Sequence, residues 1–166
     1  MVIIDLFLQL VSINHQGSLT GLVPAMYINR DGQEVENPDP EHAGLHIRSR
    51  LGKTVKAVIP SDHLAFQMGE TEQIHSGGIL RATPHCVRAA RGPKAVGVSR
   101  ETLAVFMEPM WGEPMNIPKG TSEENAKYGS SKKFMPPGVP PLESRWNPKM
   151  NFGEFTKKTI ETYTIY

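Results

Sequence analysis

The hydrophobic positions of this chain fall in short runs separated by turn-forming residues, and helical periodicity is mostly absent until the C-terminus. Short apolar runs bounded by Gly, Pro, Asn and Asp predict strands. The first clear run covers residues 18–29 (SLTGLVPAMYIN) and stops at the turn-like Asn29-Arg30-Asp31-Gly32. A polar connection, EVENPDPEH, leads to residues 44–50 (GLHIRSR), which alternate as a strand does. Leu51-Gly52-Lys53 predicts a hairpin turn, with residues 54–59 (TVKAVI) as the partner strand. Residues 63–68 (HLAFQM) form the next strand, closed by Gly69, and residues 70–76 read as a short helix or loop before Gly77-Gly78. Two more strands are expected over residues 79–87 (ILRATPHCV) and 101–107 (ETLAVFM).

Such a succession predicts a mainly β fold, a sandwich or jelly roll. After Pro109 the character changes: residues 112–150 are rich in Pro, Lys, Ser and Gly and read as a long irregular segment. Over residues 152–163 the spacing of Phe152, Phe155, Thr159 and Tyr163 predicts a C-terminal helix docking an aromatic face.

Composition bounds the class. A chain of 166 residues suits one domain, and 39% hydrophobic with 21% charged residues is globular. With 18 basic against 17 acidic side chains, the charge balance gives no reason to expect nucleic acid or an anionic membrane as partner. The single cysteine, Cys86, excludes an internal disulfide and fits a reducing compartment, so a soluble cytoplasmic protein is expected. The apolar start, MVIIDLFLQLV, is short, carries Asp5 and lacks a basic flank; it predicts neither a signal peptide nor a membrane span.

The residues with candidate chemistry sit late in the strand region. His85 lies in ATPHCVRA, and Arg100-Glu101-Thr102 opens the run TLAVFMEP. A neutral imidazole on a rigid strand suits a metal such as Fe(II), which two histidines and a carboxylate hold in non-haem oxygenases. An arginine offers a keto acid two parallel hydrogen bonds, and a hydroxyl two residues later on the same strand face adds a third donor. The other candidates have plainer readings. His42, His46 and His75 are expected at the surface, and Asp62-His63 in a surface turn. Glu70 and Glu72 are expected to be solvated, and Cys86 to be a packed thiol facing away from His85. Arg88, Arg91, Lys94 and Arg100 read as a basic loop cluster, and Met107, Met110, Trp111 and Met115 as core or rim packing.

The pieces GSLTGLVPAMYINRDGQEV, NPDPEHAGLHIRSRLGKTVKAVIP, HLAFQMGETEQIHSGGILRATPHCV and VSRETLAVFMEP, with the ending MNFGEFTKKTIETY, resemble a plant and protist branch of the isopenicillin-N-synthase-like 2-oxoglutarate/Fe(II)-dependent oxygenases. The resemblance implies a double-stranded β-helix with a C-terminal helix, Fe(II), 2-oxoglutarate as cosubstrate, and oxidation of a small organic substrate by dioxygen. It gives His85 the part of an iron ligand and gives Arg100 and Thr102 the distal carboxylate of 2-oxoglutarate.

One departure stands out. The family keeps a His-x-Asp pair just before the Gly-Ser-Leu-Thr-Gly run, where this chain has Ile13, Asn14 and His15. Neither family ligand is kept, and His15 enters only as an improvised second ligand. The resulting division is a non-family segment over residues 1–14 and a partial oxygenase domain over 15–110. An irregular segment over 111–150 and a helix with its tail over 151–166 complete it. On this reading the chain is an N-terminally truncated oxygenase. Its rivals are a catalytically inactive isoform that keeps the scaffold, and a β-sandwich binding module in which His85 and Arg100 are structural.

Overall fold

The computed structural model describes residues 16–128 and 139–164. The run expected as one strand over residues 18–29 is two, β1 (Leu19–Leu22) and β2 (Met26–Ile28). Pro24 stands between them; with no N–H to give a ladder, it favours a break there. Next come β3 (Glu34–Val35), β4 (Gly44–Arg48), β5 (Thr54–Lys56) and β6 (Ala65–Met68). The predicted β4–β5 hairpin is present: Gly52 adopts φ 75°, and the Ser49 and Lys53 backbones bond across the turn at 2.8 Å.

The strand expected over residues 79–87 shrinks to β7 (His85–Arg88). Residues 79–84 spend their backbone groups elsewhere, Leu80 N–H on Ser76 Oγ and Ala82 N–H on Gln73 Oε1, and Pro84 has none to offer. The last expected strand is likewise two, β8 (Ser99–Glu101) and β9 (Ala104–Met107).

These strands form three antiparallel three-stranded sheets, ordered β6-β1-β9, β3-β2-β8 and β5-β4-β7. Two pairs of consecutive strands change sheet at one place. Between β1 and β2, and again between β8 and β9, the chain passes between the first sheet's ladder and the second's. The two crossing segments hold each other: Val23 N–H donates to Leu103 O at 3.3 Å, and Thr102 Oγ1 donates to Val23 O at 3.1 Å.

Helices α1 (Glu70–His75), α2 (Glu123–Tyr128) and α3 (Phe152–Thr164) gather around the chain's apolar core. The buried cluster belongs to them and to their connections: Ile74, Met115, Ala126, Leu142, Trp146, Phe152 and Phe155. The segment expected to be irregular over residues 111–150 therefore supplies much of the core. Gly78, at φ 86°, lets the end of α1 meet α2; a Cβ there would collide with the Asn125 carbonyl oxygen.

Glu70 overturns its expected solvation. It is 2% exposed and takes a bidentate ion pair from Arg145, at 2.6 and 2.7 Å. Arg145 also donates to Thr159 Oγ1 and Pro140 O, and its guanidinium lies 5.9 Å from the Phe155 ring centre and 5.7 Å from that of Tyr163. Burial alone would lower the Arg145 pKa, but the hydrogen bonds and charge of Glu70, with Tyr163 adding, raise it above its ordinary value. Among the described residues no helix is long and apolar enough to cross a membrane.

Candidate functional site

His85 opens β7, opposite Ile47 in the ladder with β4. Strand alternation sends Cys86 to the other face, where it is buried opposite a buried His46. His46 was expected at the surface; its ring instead bonds the Gly44 carbonyl at 3.1 Å, which satisfies it inside the fold. His42 and His63 stay exposed, each beside a neighbouring aspartate, Asp39 and Asp62. His75 bonds the Pro114 carbonyl at 3.1 Å.

Two groups hold the His85 ring. Nδ1 lies 3.0 Å from the Thr83 carbonyl, which can only accept, and also faces the Gln67 amide nitrogen, which can only donate, so the two contacts ask opposite protonation of that ring nitrogen. The Gln67 amide nitrogen stands 2.6 Å from Nδ1 and 3.2 Å from Nε2. Gln67 comes from β6, so this contact ties the first sheet to the third. Burial lowers the His85 pKa, with the Thr83 bond partly offsetting it; the imidazole is thus kept neutral, the form a metal takes. Thr20, the ladder partner of Gln67, is 5% exposed, and its hydroxyl has no hydrogen-bond partner among the described residues.

Arg100 sits in the middle of β8, opposite Tyr27 of β2. The two side chains share a face and interact directly, the guanidinium beside the phenol oxygen. Burial lowers the Arg100 pKa, while Tyr27 acts to raise it. No carboxylate among the described residues lies within ion-pair distance of Arg100, and its Nε is buried without a partner, as are those of Arg48 and Arg88. Thr102 lies just beyond β8, at the sheet crossing, with its hydroxyl given to Val23 O.

Sequence reasoning missed Gln67 and Tyr27. The run HLAFQM contained a signal for the first, since a polar residue sits between apolar neighbours on a strand. Tyr27 carried no signal short of the β2–β8 register.

The described residues include no group of three His, Cys, Asp or Glu side chains able to hold a metal ion. They therefore hold no complete ligand set for a metal. Ile13, Asn14 and His15 lie outside the described residues. The half-buried guanidinium of Arg100 does fit an anionic ligand. Two open surface grooves border His75, and neither is lined by His85, Arg100 or Thr102.

No protein-family model matches the chain, and neither does any curated protein. Solved structures do match it in shape. A full-length Neurospora crassa protein in complex with alpha-KG superposes with a TM-score of 0.54 at 18% identity, over 91% of this chain and 37% of that one. A 2OG-Fe(II) oxygenase family protein from Caulobacter crescentus superposes with a TM-score of 0.57 at 13% identity, over 92% and 39% respectively. At such identities the likeness is one of fold. The chain spans less than two-fifths of the length of either solved chain.

Proposed function

We propose that this chain carries the cosubstrate side of a 2-oxoglutarate/Fe(II)-dependent oxygenase site on part of a double-stranded β-helix. Arg100 takes the distal carboxylate of 2-oxoglutarate, and His85 serves as one Fe(II) ligand. The reaction class is oxidation of a small organic substrate by dioxygen in the cytoplasm, with 2-oxoglutarate decarboxylated to succinate. The single observation that carries this reading is the half-buried Arg100 guanidinium with no carboxylate partner among the described residues. A half-buried guanidinium without a counter-charge is incompletely compensated, so an anionic ligand is its natural complement. The shared fold supports the choice of 2-oxoglutarate, since the Neurospora crassa structure holds alpha-KG.

When bound, the iron supplies the oxidising chemistry. The chain's own part is to hold the His85 ring between Thr83 and Gln67 and to fix the keto acid by its far carboxylate. One observation favours a second reading, a scaffold that binds a carboxylate without turnover. The His85 ring already meets the Gln67 amide at both of its nitrogens, and the described residues offer no group of three side chains able to hold a metal ion.

The two readings part in one experiment on the full chain. Calorimetry with 2-oxoglutarate under anaerobic Fe(II) should show binding that Arg100→Lys weakens at least tenfold, through loss of the planar two-bond grip. Succinate formation on admitting oxygen then supports the oxygenase. Binding without succinate supports the scaffold, and absence of binding overturns both.

A further inference from the structure

Resting on the carboxylate reading of Arg100, we infer that Tyr27 is a further binding residue of that site, its phenol O–H donating to the same carboxylate that Arg100 grips. The β2–β8 register places Tyr27 directly across from Arg100, and cross-strand partners have Cβ atoms about 4.5–5.5 Å apart. The alternation agrees on both strands. Met26, Ser99 and Glu101 are exposed, whereas Tyr27 is 8% exposed and Arg100 is half-buried on the opposite face.

Donor accounting then assigns the roles. A guanidinium has five N–H donors and no acceptor, so Arg100 can only donate to the phenol oxygen. That leaves the phenol proton to be given elsewhere. Asp39 is the nearby carboxylate that acts on Tyr27, and it does so through charge alone; its oxygens take the His42 ring and the Arg91 backbone N–H. Burial raises the Tyr27 pKa, so the phenol keeps its proton and remains a donor.

Thr102 does not fill this role in the same arrangement. A hydroxyl has one proton, and that of Thr102 is engaged with the Val23 carbonyl at 3.1 Å. Toward a carboxylate it presents lone pairs, which repel. A third donor beside the guanidinium was expected from the residue two positions after Arg100. The ladder puts one on the neighbouring strand instead.

The test is NMR titration of the full chain with three probes: 2-oxoglutarate, succinate, and pyruvate, which lacks a distal carboxylate. Expected are shifts of the Arg100 Nε–H and Tyr27 Cζ resonances with 2-oxoglutarate and succinate, and none with pyruvate. Tyr27→Phe should weaken binding about tenfold or more, the loss of one charge-assisted hydrogen bond, while Thr102→Val changes it less than about threefold. The Tyr27 Cζ shift is read on the wild-type chain, so the outcome does not depend on the variant folding. Carboxylate binding that moves Arg100 but leaves Tyr27 Cζ unmoved, or that Tyr27→Phe leaves unchanged, overturns the inference. Tyr27-dependent binding of succinate but not of 2-oxoglutarate upholds it and overturns the 2-oxoglutarate reading. If none of the probes perturbs either residue, both fall.

Discussion

A buried phenol is worth more to the folded chain neutral than ionised, and Tyr27 makes that measurable. Its pKa is raised above 10.0 chiefly by burial, with Arg100 opposing and Asp39 adding to the rise. Between 10.0 and the higher folded value, the folded chain holds a proton that the unfolded chain has lost. The stability from this group is therefore complete below about pH 10 and drains away as pH rises through the folded pKa. Denaturant midpoints should fall further between about pH 8 and about pH 10.5 for the wild type than for Tyr27→Phe, which has no phenol to ionise. Equal falls would mean that Tyr27 titrates as freely folded as unfolded. Single residues of this kind were only partly legible beforehand. His85 and Arg100 could be picked from residue type and order. Their partners Gln67 and Tyr27 depend on which strand lies beside which, and nothing local to MYI or AFQM states that.

At the scale of elements, the sequence pattern located strands better than it located their ends. Runs such as residues 18–29 and 101–107 are largely apolar, so periodicity had no reason to divide them. Pro24 and the Thr102-Leu103 crossing divide them because the chain there changes sheet, which is a tertiary fact. The same limit hid the tie between α1 and the segment leading into α3. Glu70 and Arg145 are 75 residues apart, and each alone reads as a solvated charge. Together they are a buried bidentate pair, with the side chains 2% and 0% exposed. Arg145→Ala strands the Glu70 carboxylate in the core and should destabilise the chain by ~3–5 kcal/mol in urea denaturation. The double variant Glu70→Leu with Arg145→Met removes both charges at similar volume and should lie closer to the wild type than Arg145→Ala does. A double variant as unstable as the single would assign the loss to Thr159, Pro140 and ring packing around Arg145 instead.

Over the whole molecule, apolar surface is distributed unevenly between helices and sheets. The helices close over Ile74, Met115, Trp146, Phe152 and Phe155, whereas the sheets bury polar or small side chains, Thr20, Tyr27, His46 and Cys86. Among the described residues, the face of the first sheet that carries Gly21 is uncovered. Phe66 and Val105 flank Gly21 from β6 and β9 and are 60% and 51% exposed, with Leu64 and Leu103 also exposed next to those strands. Scattered single apolar residues on a surface need no explanation, but a contiguous patch across three paired strands is a liability for association. Replacing both Phe66 and Val105 by threonine puts a β-branched, strand-favouring side chain at each position and removes the apolar surface. Because both sites are exposed, each change should alter stability by no more than about 0.5 kcal/mol. The double variant should bind less of a hydrophobic dye and sediment with less concentration dependence than the wild type, at a nearly unchanged unfolding midpoint. Unchanged dye binding would mean that the open face is not where apolar surface meets solvent. A large drop in the midpoint would mean that Phe66 and Val105 pack against something in the folded chain despite their exposure among the described residues.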